Sequence, residues 1–211
     1  MSVGRHSNIS IRTLSMNDQT FDIPTVQSSS GWLKRYYIAR FFFSTVWVAL
    51  AFTVGKDSPA IAAVMLVIYP VWDALANLVD GQRSGGLARN KTQLLNFIVS
   101  GLTALAVGAT LGRSMGAVVV VFGVWAALSG LLQLATAVRR WKSFGAQWAM
   151  ILSGAQSALA GVIFVSRAGA PDISALTTVA PYAAVGAFYF LVSGIWLIVS
   201  DLRRGARSAA A

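Results

Sequence analysis

The chain has no cysteine, no glutamate and a single histidine, His6. Disulfides are excluded, and a metal centre built from Cys and His ligands is excluded with them. Charge is scarce as well: 11% of the 211 residues are Asp, Glu, Lys or Arg, against roughly 25% in ordinary soluble domains. The histidine lies in a polar N-terminal stretch, so serines such as Ser44, Ser100 and Ser153 have no base beside them in an apolar run, and no lysine there completes a Ser/Lys pair. No enzyme activity, cofactor or metal is therefore expected.

What is present is apolar. Hydrophobic residues make up 56% of the chain, and six runs are long enough to cross hydrocarbon as helices: residues 36–54, 60–79, 94–111, 115–138, 146–165 and 176–199. Backbone groups in lipid need partners within their own segment, so an all-α membrane protein is the expected class. Residues 1–31 are rich in Ser, Thr, Asn and Gln and read as a flexible polar cytoplasmic tail without a signal-peptide core. Residues 32–204 form the membrane domain, and residues 205–211 a second cytoplasmic tail.

The net charge of +10 follows the loops. Arg5, Arg12, Lys34 and Arg35 precede the first run; Arg83, Arg89 and Lys91 follow the second; Arg139, Arg140 and Lys142 follow the fourth; Arg203, Arg204 and Arg207 follow the sixth. The opposite side holds only Lys56, Arg113 and Arg167. The positive-inside rule then places both termini in the cytoplasm, with anionic lipid headgroups as the expected partner of the basic loops and no role for nucleic acid. Trp32, Tyr36 and Tyr37 are expected to anchor the first helix at the interface.

An internal repeat organises the apolar runs. Gly55, Gly108 and Gly161 are 53 residues apart, and the same offset carries Trp72 onto Trp125 and Ser100-Gly101 onto Ser153-Gly154. The offset grows to 64 when Ser129-Gly130 is matched to Ser193-Gly194, because the loop at 166–178 is longer. A period of this length describes three helical hairpins of parallel topology, related by an axis along the membrane normal. Glycines fall seven apart at Gly101 and Gly108, Gly123 and Gly130, and Gly154 and Gly161, which puts each pair on one helix face and predicts close helix packing there.

The repeat is broken electrically. Arg40 corresponds to Gln93 and Ala146, Asp73 to Ala126 and Phe190, and Asp80 to Gln133 and Leu197. Asp73, Asn77 and Asp80 are spaced i, i+4, i+7 and share one stripe of the second helix. At 1.5 Å per residue Asp73 lies about 10 Å deeper than Asp80, and Arg40 about 6 Å in from Tyr36. Arg40, Asp73, Asn77 and Asp80 are thus a candidate intramembrane polar cluster, with Asn96 and Gln133 expected to complete it. An aspartate near the bilayer centre costs about 2.5–3.5 kcal/mol on the insertion scale, so Asp73 should be paired, protonated or open to water. A structural ion pair with Arg40, a reversibly protonated Asp73, and an Arg40 that snorkels to phosphates all satisfy that condition. The glycine-rich Gly81-Gln82-Arg83-Ser84-Gly85-Gly86 lacks the Walker lysine pattern and reads as an ordinary flexible turn.

The block Tyr69-Pro70-Val71-Trp72-Asp73-Ala74-Leu75-Ala76-Asn77-Leu78-Val79-Asp80, the following Arg83-Ser84-Gly85-Gly86, and the late Tyr189-Phe190-Leu191-Val192-Ser193-Gly194-Ile195-Trp196 resemble HdeD-like membrane proteins. That family consists of short membrane repeats of unknown biochemical role and takes its name from a bacterial acid-resistance protein. The resemblance spans residues 33–204 and implies a bacterial inner-membrane location and a part in acid or envelope stress. Two functions stay open: a non-enzymatic membrane protein acting through lipid contacts, a homo-oligomer or another membrane protein, and a small proton-linked permease with Asp73 as carrier.

Overall fold

A computed structural model describes residues 26–140 and 147–209. These residues form six helices: α1 Val26–Leu50, α2 Pro59–Arg83, α3 Lys91–Thr110, α4 Met115–Arg140, α5 Gln147–Arg167 and α6 Ala175–Ala209. The chain leaves α1 through a π-helical turn, Ala51–Gly55. Most of the anticipated N-terminal tail, with Arg5, His6 and Arg12, lies outside the described residues, as do Lys142 and the last two alanines. The helices run past the expected spans at both chain ends: α1 starts ten residues before Tyr36, and α6 continues into the expected C-terminal tail. Propagating an established helix adds one hydrogen bond per residue fixed, so apolar character need not end where helix ends.

Local chemistry sets the helix boundaries. The Ser58 hydroxyl accepts from the Ile61 N–H with Pro59 at the first helical position, and the Ser114 hydroxyl accepts from the Ala117 N–H at 3.0 Å. Between α2 and α3 the backbone reverses through Gly85 and Gly86, at φ +100° and +93°, a region that glycine enters without steric cost. The Asn90 amide closes this turn by donating to the carbonyls of Ser84 at 2.8 Å and Gly86 at 3.0 Å. Of the segment expected to be a flexible turn, residues 81–83 are the last turn of α2, and only residues 84–86 lie in the connection, held by the Asn90 amide.

Among the described residues five segments are long and apolar enough to cross a membrane: Gly31–Gly55, Pro59–Arg83, Lys91–Thr110, Met115–Ala135 and Ala175–Ala206. The sixth, Ile151–Arg167, is a shorter apolar helix. At 1.5 Å per residue it still reaches about 25 Å, the lower end of what spans hydrocarbon. Most outward-facing side chains along the helices are apolar: Leu105 is 73% exposed, Val162 64% and Phe42 60%. A largely apolar exterior around hydrogen-bonded helices suits lipid, and the chain is a multi-pass helical membrane protein.

The interior is filled. Phe122, Leu66, Leu176, Val107 and Val179 are fully buried, and aromatic rings meet edge to face along the centre: Tyr69 with Trp125 at 5.8 Å, Trp125 with Tyr182 at 6.0 Å and Phe164 with Tyr182 at 5.9 Å. The most extensive helix contacts join α4 to α5, then α2 to α3 and α1 to α6. The last pair brings the two ends of the chain together. Within the expected hairpins, α1 meets α2 and α5 meets α6 over much less surface.

The glycine prediction divides. Cβ atoms on Gly123 and Gly161 would stand 2.9 and 2.5 Å from each other's carbonyl oxygens, and those on Gly130 and Gly154 2.5 and 2.9 Å. Four of the six glycines therefore hold α4 against α5 backbone to backbone. Gly101 and Gly108 do not act this way, since a Cβ on either meets nothing within 4 Å. The buried face of α3 carries Ser100, Thr103, Ala104 and Val107, and at 100° per residue the two glycines fall roughly a quarter turn from it.

Candidate functional site

Arg40 reaches from α1 to Asp73 on α2, where its Nη2 pairs with Oδ1. Its Nη1 donates to the Tyr36 hydroxyl at 2.8 Å, one helical turn back. The guanidinium also lies 4.3 Å from the centre of the Phe190 ring on α6. Phe190 is the repeat counterpart of Asp73. The position that supplies a counter-ion in the first unit supplies a π-face in the last, and both meet the same cation.

The second carboxylate oxygen of Asp73 accepts from Ser100 Oγ on α3 at 2.7 Å and from Asn77 Nδ2 at 3.0 Å. Asn77 also donates to the Asp73 carbonyl at 2.8 Å. Ser100 Oγ in turn accepts from Trp125 Nε1 on α4 at 2.9 Å. One polar chain, Tyr36–Arg40–Asp73–Ser100–Trp125, therefore ties four consecutive helices together, with Phe190 adding α6. Asp73 is 9% exposed. Of this group's buried polar atoms only Arg40 Nε has no partner.

Asp80 forms a separate node. It accepts from Trp32 Nε1 at 3.4 Å, Ser84 Oγ at 3.4 Å and Gln93 Nε2 at 3.3 Å, and the Arg83 guanidinium covers the Trp32 ring at 5.3 Å. It does not pair with Arg40. The expected single cluster is thus two, separated by two helical turns of α2. The register explains the split: Asp73 and Asp80 are seven residues apart, as are Gln93 and Ser100, and antiparallel packing of α2 on α3 matches 80 with 93 and 73 with 100.

Asn96 falls between those two levels and makes no hydrogen bond to either aspartate among the described residues. Gln133 lies two helical turns past Trp125 on α4 and makes no hydrogen bond to either aspartate among the described residues. Neither residue bonds Asp73 or Asp80 among the described residues. Of the residues that take their place, Ser100 and Gln93 are marked in the sequence by that shared spacing of seven, and Trp125 only as the repeat counterpart of Trp72. Trp32, Tyr36 and Tyr37 also turn inward, to Asp80, to Arg40 and, for Tyr37, to the Phe190 ring at 6.4 Å. The polar tips of Trp32 and Tyr36 are held by protein partners.

A third polar contact lies in the later repeats. Ser157 on α5 donates to the Ala126 carbonyl at 2.8 Å and lies 2.9 Å from the Tyr182 hydroxyl on α6. No group of His, Asp or Glu suited to a metal ion occurs among the described residues. An apolar cleft of about 440 Å³ lies between α4 and α5 and another of about 140 Å³ beside Trp47 and Met65; neither is lined by Arg40 or Asp73.

Residues 97–166, which run from α3 through α5, match a family model described as a short repeat of unknown function (DUF308). No curated protein and no solved structure matches the chain. The matched segment contains Ser100, Trp125 and all four interlocked glycines, and it is consistent with the HdeD-like resemblance; the part of this chain that is similar to that family is the part that builds its tightest helix pair.

Proposed function

We propose that this chain is a non-enzymatic multi-pass protein of the bacterial inner membrane, with both termini in the cytoplasm and its helices arranged as three parallel-topology hairpins, contributing to acid or envelope stress resistance. Arg40 and Asp73 act as an internal staple in this reading. The observation that carries it is the closure of Asp73: one oxygen holds Arg40, the other holds Ser100 and Asn77, and both lie among packed helices away from either cleft. A carrier carboxylate must exchange a proton with water on each side, and a carboxylate already taken up by a guanidinium, a hydroxyl and an amide is poorly arranged for that. The stress role and the bacterial setting rest on the resemblance to HdeD-like proteins. The basic loops, for which anionic headgroups are the natural counter-charge, support the orientation.

The competing reading makes Asp73 the carrier of a small proton-linked permease. Reconstitution in liposomes under an imposed pH gradient separates the two. Wild type, Asp73→Asn and Arg40→Gln should all leave the gradient as empty vesicles do, while both variants lose thermal stability. Proton flux in wild type that Asp73→Asn abolishes would replace the staple with the carrier. Survival of a deletion strain at low pH, with and without the restored gene, tests the stress role.

A further inference from the structure

Gln156 stands at the middle of α5, which runs from Gln147 to Arg167, and its side chain is exposed on the outer surface of the bundle. Its Oε1 accepts from the Tyr189 hydroxyl of α6 at 2.6 Å. Its amide nitrogen has no acceptor among the described residues. In water such a group needs no explanation; at the centre of a bilayer, lipid tails offer it nothing. The repeat does not require it either, since the corresponding positions are Thr103 and Leu50.

The surroundings of Gln156 are shaped for another helix. Leu152, Gln156, Leu159 and Ile163 follow spacings of four, three and four, the 3.5-residue period of a packing seam, and all four are exposed. Leu159 is 60% exposed. Beyond them lies the apolar groove of about 440 Å³, walled by Gly123, Val124, Ala127 and Leu128 of α4 and by Gly161 and Val162 of α5. A ridge of leucines beside an open groove on one surface is self-complementary.

We infer that this face of α5 receives the same face of a second copy of the chain, with Gln156 hydrogen-bonded to Gln156 across a twofold axis along the membrane normal. Two copies inserted with one topology lie at one depth, so the axis brings Gln156 opposite Gln156 without adjustment. A carboxamide carries a donor and an acceptor and can therefore pair with itself. A twofold contact of this kind is isologous, closing on itself without generating a chain of subunits. A partner of different sequence would need its own polar group at the same depth, whereas the second copy supplies one by symmetry. The inference depends on the membrane reading and is independent of any stress role.

The absence of cysteine makes the test direct. Leu159→Cys and, as a control on the exposed face of α3, Leu105→Cys are purified, reconstituted in phospholipid vesicles and oxidised with copper-phenanthroline. Leu159→Cys should form a disulfide-linked dimer while Leu105→Cys stays monomeric. Adding Gln156→Leu to Leu159→Cys should weaken association about tenfold, measured as dimer fraction against protein-to-lipid ratio. Thermal unfolding of the double variant is followed alongside, and an unchanged midpoint shows that the fold persists on this lipid-compatible substitution. Equal cross-linking at Leu105→Cys, no dimer at Leu159→Cys, or a dimer indifferent to Gln156→Leu would each overturn the inference.

Discussion

Gly130 and Gly154 face each other across α4 and α5 so closely that a Cβ on Gly130 would lie 2.5 Å from the Gly154 carbonyl oxygen. One turn pair away, Gly123 and Gly161 repeat the arrangement, and the residue numbers of both pairs have the same sum. Two antiparallel helices with glycine every seventh residue meet in one register only, because any other sets a side chain against backbone. Without water to drive apolar surfaces together, this close approach is how dispersion and packing hold a membrane helix pair.

Alanine at Gly130 should therefore destabilise the bundle by about 1–3 kcal/mol, since the contacting atoms are backbone and cannot move aside singly. Alanine at Gly108, where a Cβ meets nothing within 4 Å, should be close to neutral. Thermal unfolding in detergent, followed by circular dichroism, compares the two. Equal effects would show that the α4–α5 contact is looser than its geometry.

Removing one member of the Arg40–Asp73 pair leaves the other charge buried without its counter-ion. Asp73→Asn and Arg40→Gln should each cost on the order of 3 kcal/mol. The double substitution should cost less than their sum, because the pair acts as a unit. A double-mutant cycle on unfolding free energies measures that difference, and strict additivity would argue that the two groups act independently.

Ser100 occupies a node between Asp73 and Trp125. Ser100→Ala removes a donor to one and an acceptor from the other, so a loss of roughly 1–3 kcal/mol is expected, with a shift in tryptophan emission. The hydroxyl of its repeat counterpart Ser153 makes no hydrogen bond among the described residues. Ser153→Ala should change neither quantity.

At the chain ends, Lys34 bonds Asp201 at 2.7 Å, joining the start of α1 to the end of α6, and Arg204 shares the same carboxylate. Both side chains of the Lys34–Asp201 pair are partly exposed, 30% and 26%. Asp201→Asn should accordingly lower stability only slightly, and raising the salt concentration should shrink the difference. A large salt-independent loss would mean that this contact lies deeper than its exposure shows.

Much of the fold was legible because hydrocarbon leaves few options: apolar runs of sufficient length become helices, and the six expected runs are helical in their described residues except at Leu111, which opens the turn after α3. The glycine seam was legible in spacing but not in partner. A heptad of small residues marks a face; whether a neighbouring helix covers it depends on the rotation of that helix in the bundle. Gly123 and Gly161 are covered, and Gly101 and Gly108 are not. The polar site was legible to the same degree. The i, i+4, i+7 stripe of α2 identified Asp73, Asn77 and Asp80, while the register of α2 on α3 chose Gln93 and Ser100 over Asn96.

By itself the amino-acid order determined a helical membrane protein with an internal repeat whose intramembrane charges sit in its first unit, because the demands of lipid on backbone and charge act on each segment alone. Tertiary structure decided which groups answer those charges: Ser100, itself held by Trp125, at one carboxylate oxygen of Asp73, Arg40 at the other, and Phe190 against the guanidinium. Those choices follow from helix rotation and register, which are set by many weak contacts acting together and are written in no single segment.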